Sequence, residues 1–183
     1  MSLIATCSHC AAVLPTRRAI IAALAATVVL PLAAPLATAA TSEDERYMRM
    51  AIAEARRGDF PFGAVIVRDG RVLARGRNLG RSTDDPTAHG EIVTIRRALA
   101  QHGSKPLRGA TLYTSGEPCA MCMGAILWCR FGRLVFAASV EQLATKIDQI
   151  MVSSADLAAK TAFAPISITG GVLADEAMAL FAK

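Results

Sequence analysis

Apolar residues recur every three or four positions from Tyr47 onward: Tyr47, Met48, Ala51, Ile52 and Ala55 share one helical face. Ser42 stands before an acidic first turn, Glu43-Asp44-Glu45, and is the expected N-cap, with Gly58 as the stop. The period then changes. Phe62-Gly-Ala-Val-Ile-Val67 is an unbroken apolar run of strand length, as a buried strand requires. Asp69-Gly70 is a two-residue hairpin signal, and Val72–Gly76 returns as the second strand.

Polar residues from Asn78 to Asp85 form a loop, and Pro86-Thr87 is expected to open a helix over about Ala88 to Gln101. Ala110–Thr114 is a third strand. Pro118 suits the first position of a helix that runs to about Cys129. Leu134–Ala137 is a fourth strand. Helical patterns over Val140–Ile147 and Ser153–Lys160, a fifth strand at Ile166–Ile168 and a last helix over Ala174–Phe181 complete the chain. Strands alternating with helices predict an α/β fold: a three-layer α/β/α sandwich around a five-stranded mixed sheet, whose first two strands form an antiparallel edge pair.

The first forty residues are of different composition. Ala11 to Ala40 is mostly alanine, leucine, valine and isoleucine, with Arg17-Arg18 directly before the apolar run. Pro31 and Pro35 break it, and Ala37-Thr38-Ala39 is a small-x-small cleavage site. This is the layout of an export signal, and Thr16-Arg17-Arg18 gives it a twin-arginine character. Residues 1–40 are therefore expected to be a signal peptide or an N-terminal anchor, and residues 41–183 one catalytic domain. The expected compartment is periplasmic, with a cytoplasmic protein as the alternative. The formal charge of +5 does not demand a nucleic-acid partner: Arg17 and Arg18 are the only charges before Glu43, leaving 18 basic against 15 acidic residues. Five cysteines in a chain of 183 residues do not describe a small disulfide scaffold.

Two segments carry chemistry. One is His89-Gly90-Glu91; the other is Pro118-Cys119-Ala120-Met121-Cys122. Cysteines at i and i+3 project on one helical face, and a helix start favours the thiolate. With His89 they form a Cys₂His set for one Zn²⁺, leaving the fourth tetrahedral position to water, as in a catalytic site. Residues i and i+2 diverge by about 200° in mid-helix. At a first turn, however, both can reach a group placed off the helix end, so Glu91 can touch that water without binding the metal. Such a carboxylate is a general base that takes a proton and returns it to a leaving amine. Histidine-x-glutamate about thirty residues before Pro-Cys-x-x-Cys is the pattern of zinc deaminases. Cys129 lies too far along its helix, about 15 Å from Cys119, to complete the set, and is expected to be a core thiol.

On these motifs the chain resembles the cytidine deaminase-like superfamily, and within it the bacterial guanine deaminase branch. The matching stretch runs from about Phe60 to Ala138. It includes Pro61–Val67, Asp85-Pro-Thr-Ala-His-Gly-Glu91 and Leu112-Tyr-Thr-Ser-Gly-Glu-Pro-Cys-Ala-Met-Cys-Met-Gly-Ala-Ile126. The resemblance implies a homodimer and water attack on an amino-bearing ring carbon. It implies that Asn78 hydrogen-bonds the base, that Phe62 and Trp128 wall the pocket, and that backbone at Ala64, Val65 and Cys119 positions substrate and water. Two positions depart from the family, Gly90, usually alanine, and Gly116, often cysteine. A paired-acid segment expected after the fourth strand is matched only loosely, by Asp148. The expected function is hydrolytic deamination of a nucleobase or nucleoside with release of ammonia, guanine to xanthine leading. The alternatives are a tRNA adenosine deaminase, or a non-enzymatic zinc-stabilised binding protein. The expected partners are a small-molecule base and a second copy of the chain, with no nucleic acid.

Overall fold

A computed structural model describes residues 41–182. The expected export segment or anchor over residues 1–40, with its Cys7 and Cys10, lies outside the described residues. Helix α1 spans Ser42–Ala55. Its N-cap is Thr41, one residue before the expected Ser42: the Thr41 hydroxyl accepts the Asp44 amide and the Asp44 carboxylate accepts the Thr41 amide, a reciprocal capping box. Strands β1 (Gly63–Arg68) and β2 (Arg71–Arg77) form the expected hairpin. Asp69 and Gly70 both have positive φ, 49° and 72°, as a two-residue turn between right-twisting strands requires.

Helix α2 spans Gly90–His102, so Pro86-Thr87 belongs to the preceding loop. Asp85 holds that loop in place: its Oδ1 accepts both the amide and the hydroxyl of Thr87. β3 (Thr111–Gly116) leads to α3 (Ala120–Trp128), and Pro118 falls before the helix, not at its first position. β4 (Arg133–Ala138), α4 (Val140–Ala144), α5 (Ser154–Ala159), β5 (Ser167–Thr169) and α6 (Ala174–Met178) follow. Short 3-10 turns at Lys105–Leu107 and Ala179–Phe181 had no clear sequence signal, and the second takes the end of the expected last helix.

The sheet order is β2-β1-β3-β4-β5. β1 is antiparallel to β2 and β3, whereas β3, β4 and β5 run parallel. Side chains alternate between two cores, as a pleated strand dictates. Ala64, Ile66, Leu112, Leu134 and Phe136 face α2 and α3 through Ile95, Ala98, Met123 and Ile126. Val65, Val67, Tyr113, Val135 and Ala137 face α1 and α6 through Tyr47, Met48, Ala51 and Ala177. Both sheet faces are covered, which explains the unbroken apolar strands. The expected α/β/α sandwich with a five-stranded mixed sheet is the observed fold.

One buried ionic contact joins the outer helix to the sheet. Arg133 on β4 donates to both oxygens of Asp44, at 2.7 and 3.0 Å, and the Tyr113 hydroxyl donates to Oδ1 at 2.9 Å. Burial alone would raise the Asp44 pKa, but Arg133, the Thr41 amide and Tyr113 together pull it from 3.8 to about 2. Because the folded-state pKa is depressed, this stabilisation is complete above about pH 4 and is lost as pH falls through about 2. Asp44→Asn should therefore flatten the acid limb of stability between those values in a urea titration at stepped pH. Asp44→Ala, which leaves Arg133 without its partner, should cost about 2–4 kcal/mol in the same measurement.

Candidate metal centre and its cavity

Two helix starts converge at the carboxyl end of β3. His89 is the N-cap of α2 and Cys119 the N-cap of α3, both with extended backbone (φ −64°, ψ 156° and φ −61°, ψ 168°). Neither side chain caps its own helix. Both turn instead towards a shared point, where Cys122, one turn into α3, joins them. Nδ1 of His89 lies 3.6 Å from Sγ of Cys119 and 3.6 Å from Sγ of Cys122. All three ligand atoms fall within 4.8 Å of one another.

These spacings fit zinc. Ligands at about 2.3 Å (sulfur) and 2.05 Å (nitrogen) on a tetrahedral ion stand about 3.55 Å apart, against the 3.6 Å found. The protonation pattern points the same way. A hydrogen bond from Cys122 pulls the Cys119 thiol down to about 4, against its burial, and His89 adds to the pull. That contact and burial hold Cys122 up, while the contact with Cys119 raises His89. A divalent cation held by both sulfurs would displace their protons. Cys129 packs at the edge of the core and takes no part in the cluster.

Glu91, in the first turn of α2, is buried at 5% exposure beside the cluster. Burial is the main cause that pushes its carboxyl up to about 7; the Cys119 thiolate adds to this, and His89 opposes it. A carboxylate with that balance accepts and releases protons near neutral pH.

A cavity of about 330 Å³ opens over these groups. It is lined by Phe60, Phe62 and Asn78, by the segment from Ile147 to Ile150, and by His89, Glu91, Glu117 and Cys119. Asn78 is 4% exposed, and its Oδ1 accepts the Gly80 amide at 3.0 Å, which orients the carboxamide. The Phe62 ring meets Phe181 edge-on at 5.5 Å.

Three expected substrate contacts are not brought to this cavity. Trp128 is 74% exposed at the far end of α3, about 9 Å of helix past Cys122. It meets Phe163 edge-on at 5.1 Å instead. Ala64 and Val65 are buried inside the sheet, paired to Gly76 and Arg75 on one side and to Thr114 and Tyr113 on the other. Their backbone is engaged in the two ladders, and the Ala64 carbonyl also accepts the Thr94 hydroxyl at 3.4 Å. Glu117 and Phe60 escaped the sequence analysis, which of the 147–150 segment singled out only Asp148, as the loose match to a paired-acid segment. Only the acid wedged between Gly116 and Pro118 offered a signal.

The two glycine departures have a spatial cause. A Cβ at Gly90 would stand 2.9 Å from the Phe62 carbonyl oxygen. A Cβ at Gly116 would stand 2.9 Å from the Phe62 ring and 3.0 Å from Leu143. The missing methyl at 116 is the space that Phe62 occupies.

The wild-type chain should bind one zinc ion tightly, and Cys122→Ser should weaken its retention more than about 100-fold, read by metal analysis after dialysis against a chelator. Gly116→Ala should force the Phe62 ring aside and cost about 1–3 kcal/mol of stability, measured by denaturant melt, with zinc content unchanged.

The model of the cytidine and deoxycytidylate deaminase zinc-binding region matches residues 41–138. Guanine deaminase of Bacillus subtilis is 50% identical over 78 residues, 43% of this chain and 50% of that protein. A tRNA-specific adenosine deaminase of Agrobacterium fabrum is 46% identical over 101 residues, 53% of this chain and 66% of that protein. The chain thus spans half to 66% of the length of these curated relatives. Among solved structures, guanine deaminase from Nitrosomonas europaea superposes with TM-score 0.64 at 26% identity, covering 79% of this chain and 85% of that one. With the family model covering more than half of its length, and the zinc ligands and Glu91 within the matched residues, the chain belongs to the cytidine and deoxycytidylate deaminase zinc-binding family.

Proposed function

We propose that residues 41–183 form a hydrolytic deaminase of a small aminated base, with guanine as the leading substrate. The observation that carries this is the placing of Glu91: a buried carboxylate beside a three-ligand cluster, in the lining of a cavity sized for one small molecule. A purely structural zinc site has no use for such an acid.

Zinc bound by His89, Cys119 and Cys122 would supply a Lewis acid that makes water nucleophilic near neutral pH. The chain's own residues do the rest. Phe62 offers a ring face to a flat base, and the Asn78 carboxamide, fixed by Gly80, hydrogen-bonds its edge. Asp148, which also lines the cavity, would accept from a ring or exocyclic N–H. Glu91 takes a proton from water and returns it to the departing nitrogen. A C–O bond forms, the C–N bond breaks, and ammonia leaves. Near-neutral affinity for the proton suits Glu91 to both transfers.

The second function supported by the relatives is deamination of adenosine in tRNA. It needs a basic surface to hold phosphates, and the surplus of 18 basic over 15 acidic residues is slight. Guanine is favoured on that ground, supported by the guanine deaminase relatives. Exposed Met121 and Trp128 on α3 favour a homodimer through that face.

Glu91→Gln should keep zinc and the fold while ammonia release falls by at least about 10³-fold. Full activity in that variant would refute the assigned role. Residues 41–183 should release ammonia from guanine faster than from cytosine, adenosine or an adenosine-34 tRNA stem-loop; a preference for the stem-loop would overturn the substrate and keep the chemistry.

A further inference from the structure

Glu117 sits at the end of β3, two residues before Cys119, and is buried at 7% exposure. Proton transfer by Glu91 leaves it no part in the chemistry. Its own backbone amide donates to the Ala138 carbonyl at 2.7 Å, which fastens it to the end of β4. Both carboxylate oxygens are taken. Oε2 accepts the amide of Val140 at 2.9 Å, and Oε1 accepts the amide of Ser154 at 2.7 Å. Val140 is the first residue of α4 and Ser154 the first of α5.

Between those helices runs the stretch 145–153, whose Ile147, Asp148, Gln149 and Ile150 make one wall of the cavity. Its own backbone hydrogen bonds are local: Lys146 and Ile147 donate to Leu143, and Val152 donates to Ile150. Such a stretch is free to swing unless its ends are held. One carboxylate holds both ends of the longer segment 140–154, the C-terminal end directly and the N-terminal end through the start of α4. An ordered wall spares the substrate the entropy of ordering it on binding.

We propose that Glu117 is a positioning residue of the substrate pocket: its carboxylate pins Val140 and Ser154, the two ends of the segment 140–154 that carries the 145–153 wall, to the strand that leads to Cys119, so that the wall stands over the metal centre before substrate arrives. The kinetic consequence rests on the deaminase function proposed above; the mechanical one does not. Glu91 and the three ligands lie on α2 and α3, outside the wall, so release of the wall weakens substrate binding more than turnover.

The test uses the full chain loaded with zinc. Glu117→Gln keeps one acceptor and turns its NH₂ group against the other amide. Its KM for the base that the wild type deaminates should rise about tenfold or more, with kcat within about threefold and zinc content unchanged. Hydrogen exchange at the Val140 and Ser154 amides should quicken at least about tenfold, while amides of β3 and α3 keep their protection. Val140→Pro and Ser154→Pro each remove one donor and leave Glu117 intact. Both follow extended residues, Ser139 (ψ 164°) and Ser153 (ψ 156°), and both occupy first helical positions, where proline is accepted. Each should reproduce part of the KM increase, and they carry the test alone if Glu117→Gln does not fold. Unchanged KM and exchange in the variants that fold, a loss confined to kcat, or loss of zinc would each overturn the proposal. If the wild type deaminates no base, the deaminase function falls, and the exchange measurement still decides whether Glu117 holds the wall.

Discussion

The site depends on two N-cap residues that decline the usual task of an N-cap. His89 and Cys119 each stand where a side chain ordinarily accepts an amide of its own helix, and each turns outward instead. Their helices start on neighbouring parts of one sheet end, so their side chains meet, with 3.6 Å between Nδ1 and either sulfur. That spacing survives because the scaffold behind it is stiff. β1 and β3 pair directly, the Gly63 amide donates to the Ser115 hydroxyl at 3.0 Å, and the backbone of Phe62 and Gly63 presses against Gly90.

Burial then divides the labour among the acids. Glu91 has no strong cationic partner, and its removal from water leaves it willing to hold a proton near pH 7. Glu117 is almost as buried, yet its two oxygens are saturated by backbone amides. Asp44, on the opposite face of the sheet, is held ionised by Arg133. Three buried carboxylates thus stand in three settings: one beside the ligand cluster, one bonded to two backbone amides and one in a structural ion pair. The difference lies in which donors reach each one, and donors are a property of the fold.

Glycine at 90 and 116 illustrates how pocket shape is set by what is missing. A methyl at 116 would contest the space of the Phe62 ring and of Leu143. The ring therefore leans into the sheet and against Phe181 as it faces the cavity. A change at a residue that touches no ligand atom of the cluster is thereby transmitted to the surface that a flat substrate would meet.

Much of this was legible in the chain alone. Uninterrupted apolar strands announced a sheet covered on both faces. Asp69-Gly70 announced its hairpin. His-x-Glu with Pro-Cys-x-x-Cys announced the metal ligands and the acid, because the coordination chemistry of zinc restricts both residue type and spacing. Helix starts were read less well: Thr41 caps α1 in place of Ser42, and Pro86 and Pro118 stand before their helices, since local hydrogen bonds choose the cap among several competent residues. What pattern could not supply was which side chains face one another across long stretches of chain. Trp128 was drawn to the pocket by likeness and is turned away by the direction of α3, while Glu117 was passed over although it grips two amides, the farther 37 residues on. Composition and spacing determine which chemistry the chain can perform. Convergence in space, which only the packed sheet and helices establish, decides which residues perform it.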